Sequence, residues 1–424
     1  MLDELDRAID AHAEAAFSFL AELVSAPSVV GSEQQALEVF AREVERLGLT
    51  ARRLPFSNAP MSDPRAGITQ PAASLSENRF QVLATTPGDA PLTLLLNGHM
   101  DVVPATTPEL WTSPPFTPER RDGRMYGRGT ADMKGGFAIG VLALRALRDV
   151  SPDLFAERRL GFLAVIEEEC TGNGTLRSIA EQKIRADEVV LLEPTDLGLM
   201  LGGVGVLWLD IDVVASSAHA HAAHSHANAV DLGMRLVQAL REWTEALTIS
   251  HPEPSMSLGD SPYNVNLGKV HSGDWTSTAP SSAVFSVRVG FPRAWTPATA
   301  EEEIRRLISS VTASDPDFPS QPRVSLSGLR AQGYLLDSES ELVRDLSAAH
   351  LDAHGESPVT FSLGSTTDAR TYLNDFGVPA VCFGAVAHDM HGIDESVELQ
   401  SIVDGARTLS RFLLKRFGGK AVAA

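Results

Sequence analysis

Residues 92–101 read LTLLLNGHMD, and the passage from an apolar run into an imidazole and a carboxylate decides the architecture. Residues 92–96 form a short apolar stretch of the kind a strand buried on both faces requires. Comparable runs occupy 160–166 and 189–192, and a helical pattern fills 137–147 between the runs at 92–96 and 160–166. Strands alternating with helices imply an α/β fold with a mostly parallel sheet and helices on both faces. On the N-terminal side, residues 4–25 place Leu5, Ile9, Ala13, Phe17, Leu20 and Leu23 at helical intervals. A second helix is expected at 32–47, with Ser32 as its N-cap and Gly48 past its end. Residues 56–80 are rich in Ser, Pro and Ala without periodicity and read as a surface excursion.

The rhythm changes at Gly202-Gly203. An alternating run at 206–214 leads to a helix at 228–247, two further alternating runs at 263–270 and 283–291, a helix at 299–312 and a strand near 323–327. That order fits a small α/β sandwich inserted into the first domain. The expected division is a catalytic domain of 1–203 and 329–424, interrupted by an inserted domain of 204–328. The earlier rhythm resumes with a helix at 339–353, an apolar run at 378–383 and a last helix at 397–416.

Charge narrows the possible partners. The 424 residues hold 35 Lys+Arg against 55 Asp+Glu, a formal net charge of −20. No basic run supplies the positive field that nucleic-acid binding needs, so nucleic acid is not an expected partner. No apolar stretch approaches the roughly 18 residues that span a bilayer, which argues against a membrane. Cys170 and Cys382 are too few for a disulfide framework, and the first twenty residues carry acids where an export signal carries bases. A soluble, cytosolic protein is the expectation.

The chemistry-bearing residues cluster at strand ends. His99 and Asp101 lie two apart on a strand leaving the sheet, where Asp101 can take the proton of the far ring nitrogen and fix the tautomer offered to a metal. A solvated strand end is the bland alternative for this pair alone. Next, GRGTADMKGG at 127–136 is a glycine-rich turn around Asp132, followed by an apolar helix; it is neither of the common phosphate-binding patterns. Glu167-Glu168-Glu169 follows the apolar run at 161–166. Three adjacent acids repel one another, the local sequence holds no cations to pair them, and a divalent metal resolves the repulsion. One Glu can then bind metal while another stays free as a base. Glu193 and His391 complete the series, after the runs at 189–192 and 378–383. Open α/β sheets gather active sites at such positions.

These motifs, GHMDVVP, GRGTADMKGG, EE at a strand end, LEPT and HGIDESV, occur in this order over nearly the whole chain. They resemble the two-metal aminoacylase and carboxypeptidase family, which includes acetylornithine deacetylase, succinyl-diaminopimelate desuccinylase and bacterial glutamate carboxypeptidase. The resemblance implies a zinc-peptidase-like catalytic domain with an inserted lid and dimerisation domain. It implies that His99, Asp132 and Glu193 hold one divalent metal and that Asp132, Glu169 and His391 hold the other. Zinc is the expected ion, with cobalt or manganese as alternatives. Asp132 would bridge the two and its peptide bond to Met133 would be cis. Asp101 would orient His99 and Glu168 would be the general base. Since relatives usually read D-E-E-x-G where this chain has EEECTG, a one-residue shift to Glu167 and Glu168 stays open.

In the inserted domain, His219 matches the family histidine that donates to the tetrahedral oxyanion, often from the partner subunit. His221, His224 and His226 depart from the pattern and could form an adventitious metal patch. Thr278-Ala279-Pro280 replaces the common Asn before a proline, which leaves one substrate contact open. Arg288 and Arg370 resemble residues that bind the substrate carboxylate. The implied activity is metal-dependent removal of an acyl group from a small N-acyl amino acid or related carboxylate-bearing amide, by an enzyme working as a homodimer through its inserted domain. A deformylase or deaminase on a non-amino-acid substrate, or a binding homologue without turnover, are the competing readings. No G-x-S-x-G elbow points to a serine hydrolase.

Overall fold

The computed structural model describes residues 1–71, 77–156, 158–225, 227–253, 256 and 261–418. The central sheet is built around strand Leu92–His99, which pairs in parallel with Arg159–Val165 on one side and Ala186–Leu191 on the other. Ala380–Cys382 continues the parallel run beyond Ala186–Leu191. Phe80–Thr85 lies antiparallel to Arg159–Val165 and pairs antiparallel with Thr50–Pro55 at the sheet's edge. The expected five-residue strand thus runs three residues further and ends on His99 itself.

Helices Leu2–Ser25, Gly135–Val150, Glu341–His354 and Leu399–Phe417 contribute to one large core with residues of these strands. Phe40, Phe137 and Phe162 lock a second helix, Gln34–Arg46, and helix Gly135–Val150 to strand Arg159–Val165, with ring centroids 4.9–5.4 Å apart. Such pairs add about 0.5–1.5 kcal/mol each beyond their buried area. A second core, which includes Ile179 and Tyr372, involves helix Asn173–Ala180 and the segment Thr371–Asp375. The sheet is therefore covered on both faces, which accounts for strands apolar along their whole length. The N-cap of Gln34–Arg46 is Glu33 in place of Ser32, and it makes no side-chain cap bond. Its carboxylate is engaged by Arg79 and by the backbone N–H of Gly31.

The inserted domain is a four-stranded antiparallel sheet in the order Val265–Ser272, Ser282–Phe291, Gly205–Val214 and Arg323–Ala331, packed against helices Ala229–Ser250 and Pro297–Ser314. Burial alternates along Gly205–Val214, as it must when only one face meets helices. The last strand runs to Ala331, past the expected limit at 328.

The excursion at 56–80 is more than surface. Its residues 72–76 lie outside the described residues, but residues 67–70 tie helix Asn173–Ala180 to strand Arg323–Ala331. Gly67 exchanges hydrogen bonds with the Asn173 side chain at 3.0 and 3.1 Å, Ile68 N donates to Gly328 O at 2.9 Å, and Gln70 Nε2 to Ser327 O at 2.7 Å. A Cβ on Gly67 would stand 2.6 Å from Thr171 O, so only glycine allows this approach. No described helix is long and apolar enough to cross a membrane.

Candidate active site

Chain topology gathers the predicted residues at one end of the central sheet. His99 is the last residue of its strand and is buried. Glu168 and Glu169 follow strand Arg159–Val165, and Glu193 follows Ala186–Leu191. Asp132 lies in the glycine-rich turn before helix Gly135–Val150, and its peptide bond to Met133 is cis. The turn is shaped by Glu395, which accepts the backbone N–H groups of Gly129, Ala131 and Asp132 at 2.9–3.1 Å and pairs with Arg128 at 2.5 Å. Lys134, the turn's one lysine, is buried and donates to Leu23 O and Ala26 O at the end of the first helix. Burial pushes its pKa down to about 7, against the opposing pull of Glu395.

Five donors converge. His99 Nε2 lies 2.9 Å from Asp132 Oδ1 and 3.7 Å from Glu193 Oε2. His391 Nε2 lies 3.2 Å from Glu169 Oε1 and 3.4 Å from Asp132 Oδ2. Asp132 thus turns one oxygen to each histidine. His99, Asp132 and Glu169 offer ligand atoms that all lie within 4.8 Å of one another. Among the described residues, no Lys or Arg forms an ion pair with Asp132, Glu169 or Glu193, so the cluster holds carboxylates with only imidazoles for company. The His391 side chain is 51% exposed, which opens the cluster to solvent on that side.

Electrostatics reflect this crowding. Burial pushes Glu193 up to about 8, and the nearby Asp132 carboxylate pushes the same way. Burial also raises Glu168 well above the ordinary carboxylate range, reinforced by Asp368, Glu193 and Glu169. His391 is pushed up to about 11, chiefly by Glu169. For His99, burial opposes the charged form, but Asp132 and Glu193 win and its pKa is raised.

Two expectations are corrected. His99 Nδ1 is 2.8 Å from the backbone carbonyl of Asp101, whereas the Asp101 carboxylate stands 4.0 Å away. That carboxylate accepts the backbone N–H groups of Glu168 and Glu169 at 3.2 Å each, and so braces the glutamate loop instead of the ring. Glu167 does have a cationic partner: Arg79, 88 positions away, pairs with it at 2.5 Å and with Glu33 at 2.7 Å, all three side chains 1% exposed. Glu167 is thereby turned from the cluster, while Glu169 faces His391.

The remaining residues take three positions. Arg370 Nη1 lies 3.9 Å from Glu168 Oε1 and donates to Thr367 O at 2.8 Å. Arg288 donates to Asn264 Oδ1 at 2.6 Å, Ser365 Oγ at 3.1 Å and Gly364 O at 3.2 Å, all neutral acceptors. It therefore joins the antiparallel sheet that contains strand Ser282–Phe291 to the bend at Gly364-Ser365. His219 is exposed on the inserted domain, and none of its hydrogen bonds reaches the cluster. His226 lies outside the described residues. Sequence reasoning missed Arg79, Arg128 and Glu395. Of these, Glu395 carried a signal, since it stands in the same HGIDES motif as His391.

A mostly parallel sheet that gathers carboxylates and imidazoles at its strand ends, beside an inserted α/β sandwich, defines a metallopeptidase-like hydrolase. Residues 95–415 match Peptidase family M20/M25/M40. Succinyl-diaminopimelate desuccinylase of Methylobacterium nodulans is 30% identical over 413 residues, 94% of this chain and 95% of that protein. Among solved structures, the dipeptidase Dug1p of Saccharomyces cerevisiae has a TM-score of 0.80 at 14% identity, covering 99% of both chains. Human carnosine dipeptidase 1 has a TM-score of 0.77 at 16% identity, covering 99% of this chain and 100% of that one. At these identities the two structures share the fold. The chain belongs to Peptidase family M20/M25/M40 and is a hydrolase.

Proposed function

We propose that this hydrolase is a two-metal deacylase that cleaves the amide bond of a small N-acyl amino acid, with an N-succinyl amino acid as the first candidate. The observation that carries the reading is the position of Asp132, whose two oxygens face His99 and His391 in a cluster with Glu169 and Glu193, none of the three carboxylates paired with a Lys or Arg among the described residues. The donor set suits a pair of divalent cations. His99, Asp132 and Glu193 would hold one, and Asp132, Glu169 and His391 the other. Imidazole and carboxylate ligands suit zinc, with cobalt or manganese as alternatives. When bound, such ions supply Lewis acidity and make water a nucleophile near neutral pH.

The chain's own residues do the rest. Glu168 takes the proton of the attacking water and hands it to the leaving amine, a double role that needs a carboxylate with a raised pKa. Its burial and acidic neighbours raise that pKa. Asp101 braces the loop that carries this base and, through its carbonyl, holds His99 Nδ1. Arg288 and Arg370 would take the substrate carboxylate, and His219 would donate to the oxyanion from the lid, in a homodimer formed through the inserted domain. The similarity to desuccinylases over 94% of the chain supports the succinyl group. Cytosolic residence belongs to the same reading, and both cysteines are free and buried.

A panel of N-formyl, N-acetyl and N-succinyl amino acids with zinc, cobalt and manganese tests it. Metal-dependent release of succinate from at least one N-succinyl amino acid is expected. Hydrolysis confined to formyl or non-amino-acid amides would move the assignment to the competing carbon-nitrogen hydrolases.

A further inference from the structure

The histidine-rich turn of the inserted domain contains a relationship that the proposed chemistry does not use. The backbone around His219 is fixed on the rim of the antiparallel sheet. His219 forms a bridge with Thr278, Ala279 N donates to Ala218 O at 2.8 Å, and Ala220 N donates to Ser277 O at 3.0 Å. The ring is then fixed by the residue two positions on. The backbone N–H of His221 donates to His219 Nδ1 at 3.2 Å. A ring nitrogen that accepts an N–H carries no proton of its own. The ring nitrogen Nδ1 of His221 lies 3.0 Å from that same atom. Because His219 Nδ1 is already an acceptor, the shared proton belongs to His221 Nδ1. His219 must therefore keep its own proton on Nε2, at the opposite edge of the ring.

We infer that His221 is a positioning residue for His219, locking its imidazole as an Nε2–H donor with a fixed ring direction. The inference rests on the lid-donor reading given above and deepens it. An oxyanion is stabilised by a donor aimed at it before charge develops, and the opposite tautomer would present a lone pair instead. A neutral imidazole without such partners exchanges its proton between both nitrogens and turns about its terminal torsion. The backbone N–H of residue 221 removes the first freedom, and the His221 ring held 3.0 Å from the same nitrogen removes the second. His221 is thus distinguished from His224, for which no bond to His219 is formed among the described residues.

Two measurements on the full-length, metal-loaded protein test this. In protein labelled with ¹⁵N-histidine at pH 8, His219, assigned by comparison with His219→Ala, is expected to show a single Nε2–H tautomer. In His221→Pro, which removes the backbone N–H together with the ring, it is expected to show an exchanging mixture, whereas His221→Ala keeps the N–H and loses only the contact that sets the ring direction. With N-succinyl-diaminopimelate as substrate, kcat is expected to fall about tenfold in His221→Ala, less than the loss of a whole oxyanion donor, with KM within about twofold. His221→Asn keeps an amide N–H within reach of His219 Nδ1, and should recover most of that loss. An unchanged His219 tautomer in His221→Pro, or an Asn variant as slow as the Ala variant, overturns the inference. A wild-type rate in His219→Ala instead overturns the lid-donor reading, while the spectra still decide whether His221 sets the tautomer.

Discussion

The cluster at the sheet ends and the histidine turn of the inserted domain are built on opposite principles. His99, Glu168 and Glu193 are buried, and strand ends from one sheet set their separations. His219 and His221 are exposed and are set by each other and by a single backbone bridge. The first region is assembled by the topology of one domain. The second is prepared locally but stands apart from the cluster within the chain. The contrast teaches that the buried cluster is preorganised by folding, whereas the histidine turn, on the reading proposed above, would act only when movement of its own sheet or a second subunit brought it to the cluster.

Breaking the buried side of this contrast should have the largest effect. Glu168→Gln should lower turnover by about 10³-fold or more while both metals stay bound, measured by kinetics alongside metal analysis. Loss of metal with activity intact would place the base elsewhere. On the exposed side, His219→Ala should cost about 10²-fold in kcat, the scale of one oxyanion donor, with unchanged metal content. Separating the two regions physically sharpens the comparison further. If delivery comes from a partner subunit, sedimentation at micromolar concentration should give a dimer, and a catalytically active monomer would exclude that route.

Smaller effects probe how the buried region is held. Arg79→Ala leaves Glu33 and Glu167 unpaired in the interior and should cost about 3–5 kcal/mol of stability by denaturant unfolding. Its surface counterpart Arg306, paired with Glu302 and Glu303 on an exposed helix face, should change stability little when replaced by Ala. The cluster also predicts a proton count. Glu193, pushed up to about 8, and His391, pushed up to about 11, hold protons at pH 7 when no cation is bound. Metal binding must displace them, so binding should release protons and tighten as pH rises. Calorimetry at pH 7 in two buffers of different ionisation enthalpy reads this directly, and a buffer-independent heat would contradict it.

Much of this was legible in the sequence because the relevant signals are local. Apolar runs of four to seven residues mark the central strands, and each ligand candidate except Asp132 follows one, His99, Glu169 and Glu193 within three positions and His391 after eight. Asp132 was marked by the glycines that its turn requires. What stayed hidden was long-range. Nothing near Glu167 reveals that Arg79 will neutralise it, since the pair forms only when strand Phe80–Thr85 is laid antiparallel to Arg159–Val165. The excursion at 56–80 lacks periodicity because its hydrogen bonds go to Asn173, Ser327 and Gly328, not to regular neighbours. For Asp101, residue spacing identified the right partner, His99, but could not tell its carbonyl from its carboxylate.

The most direct measurement is a titration of metal-free protein with zinc, following bound metal and succinate release together, in wild type and in Asp132→Ala. Two ions per chain, activity that appears only as they bind, and loss of both in Asp132→Ala are the predicted results. Full activity after exhaustive chelation, or undiminished metal binding without the Asp132 carboxylate, would contradict the account.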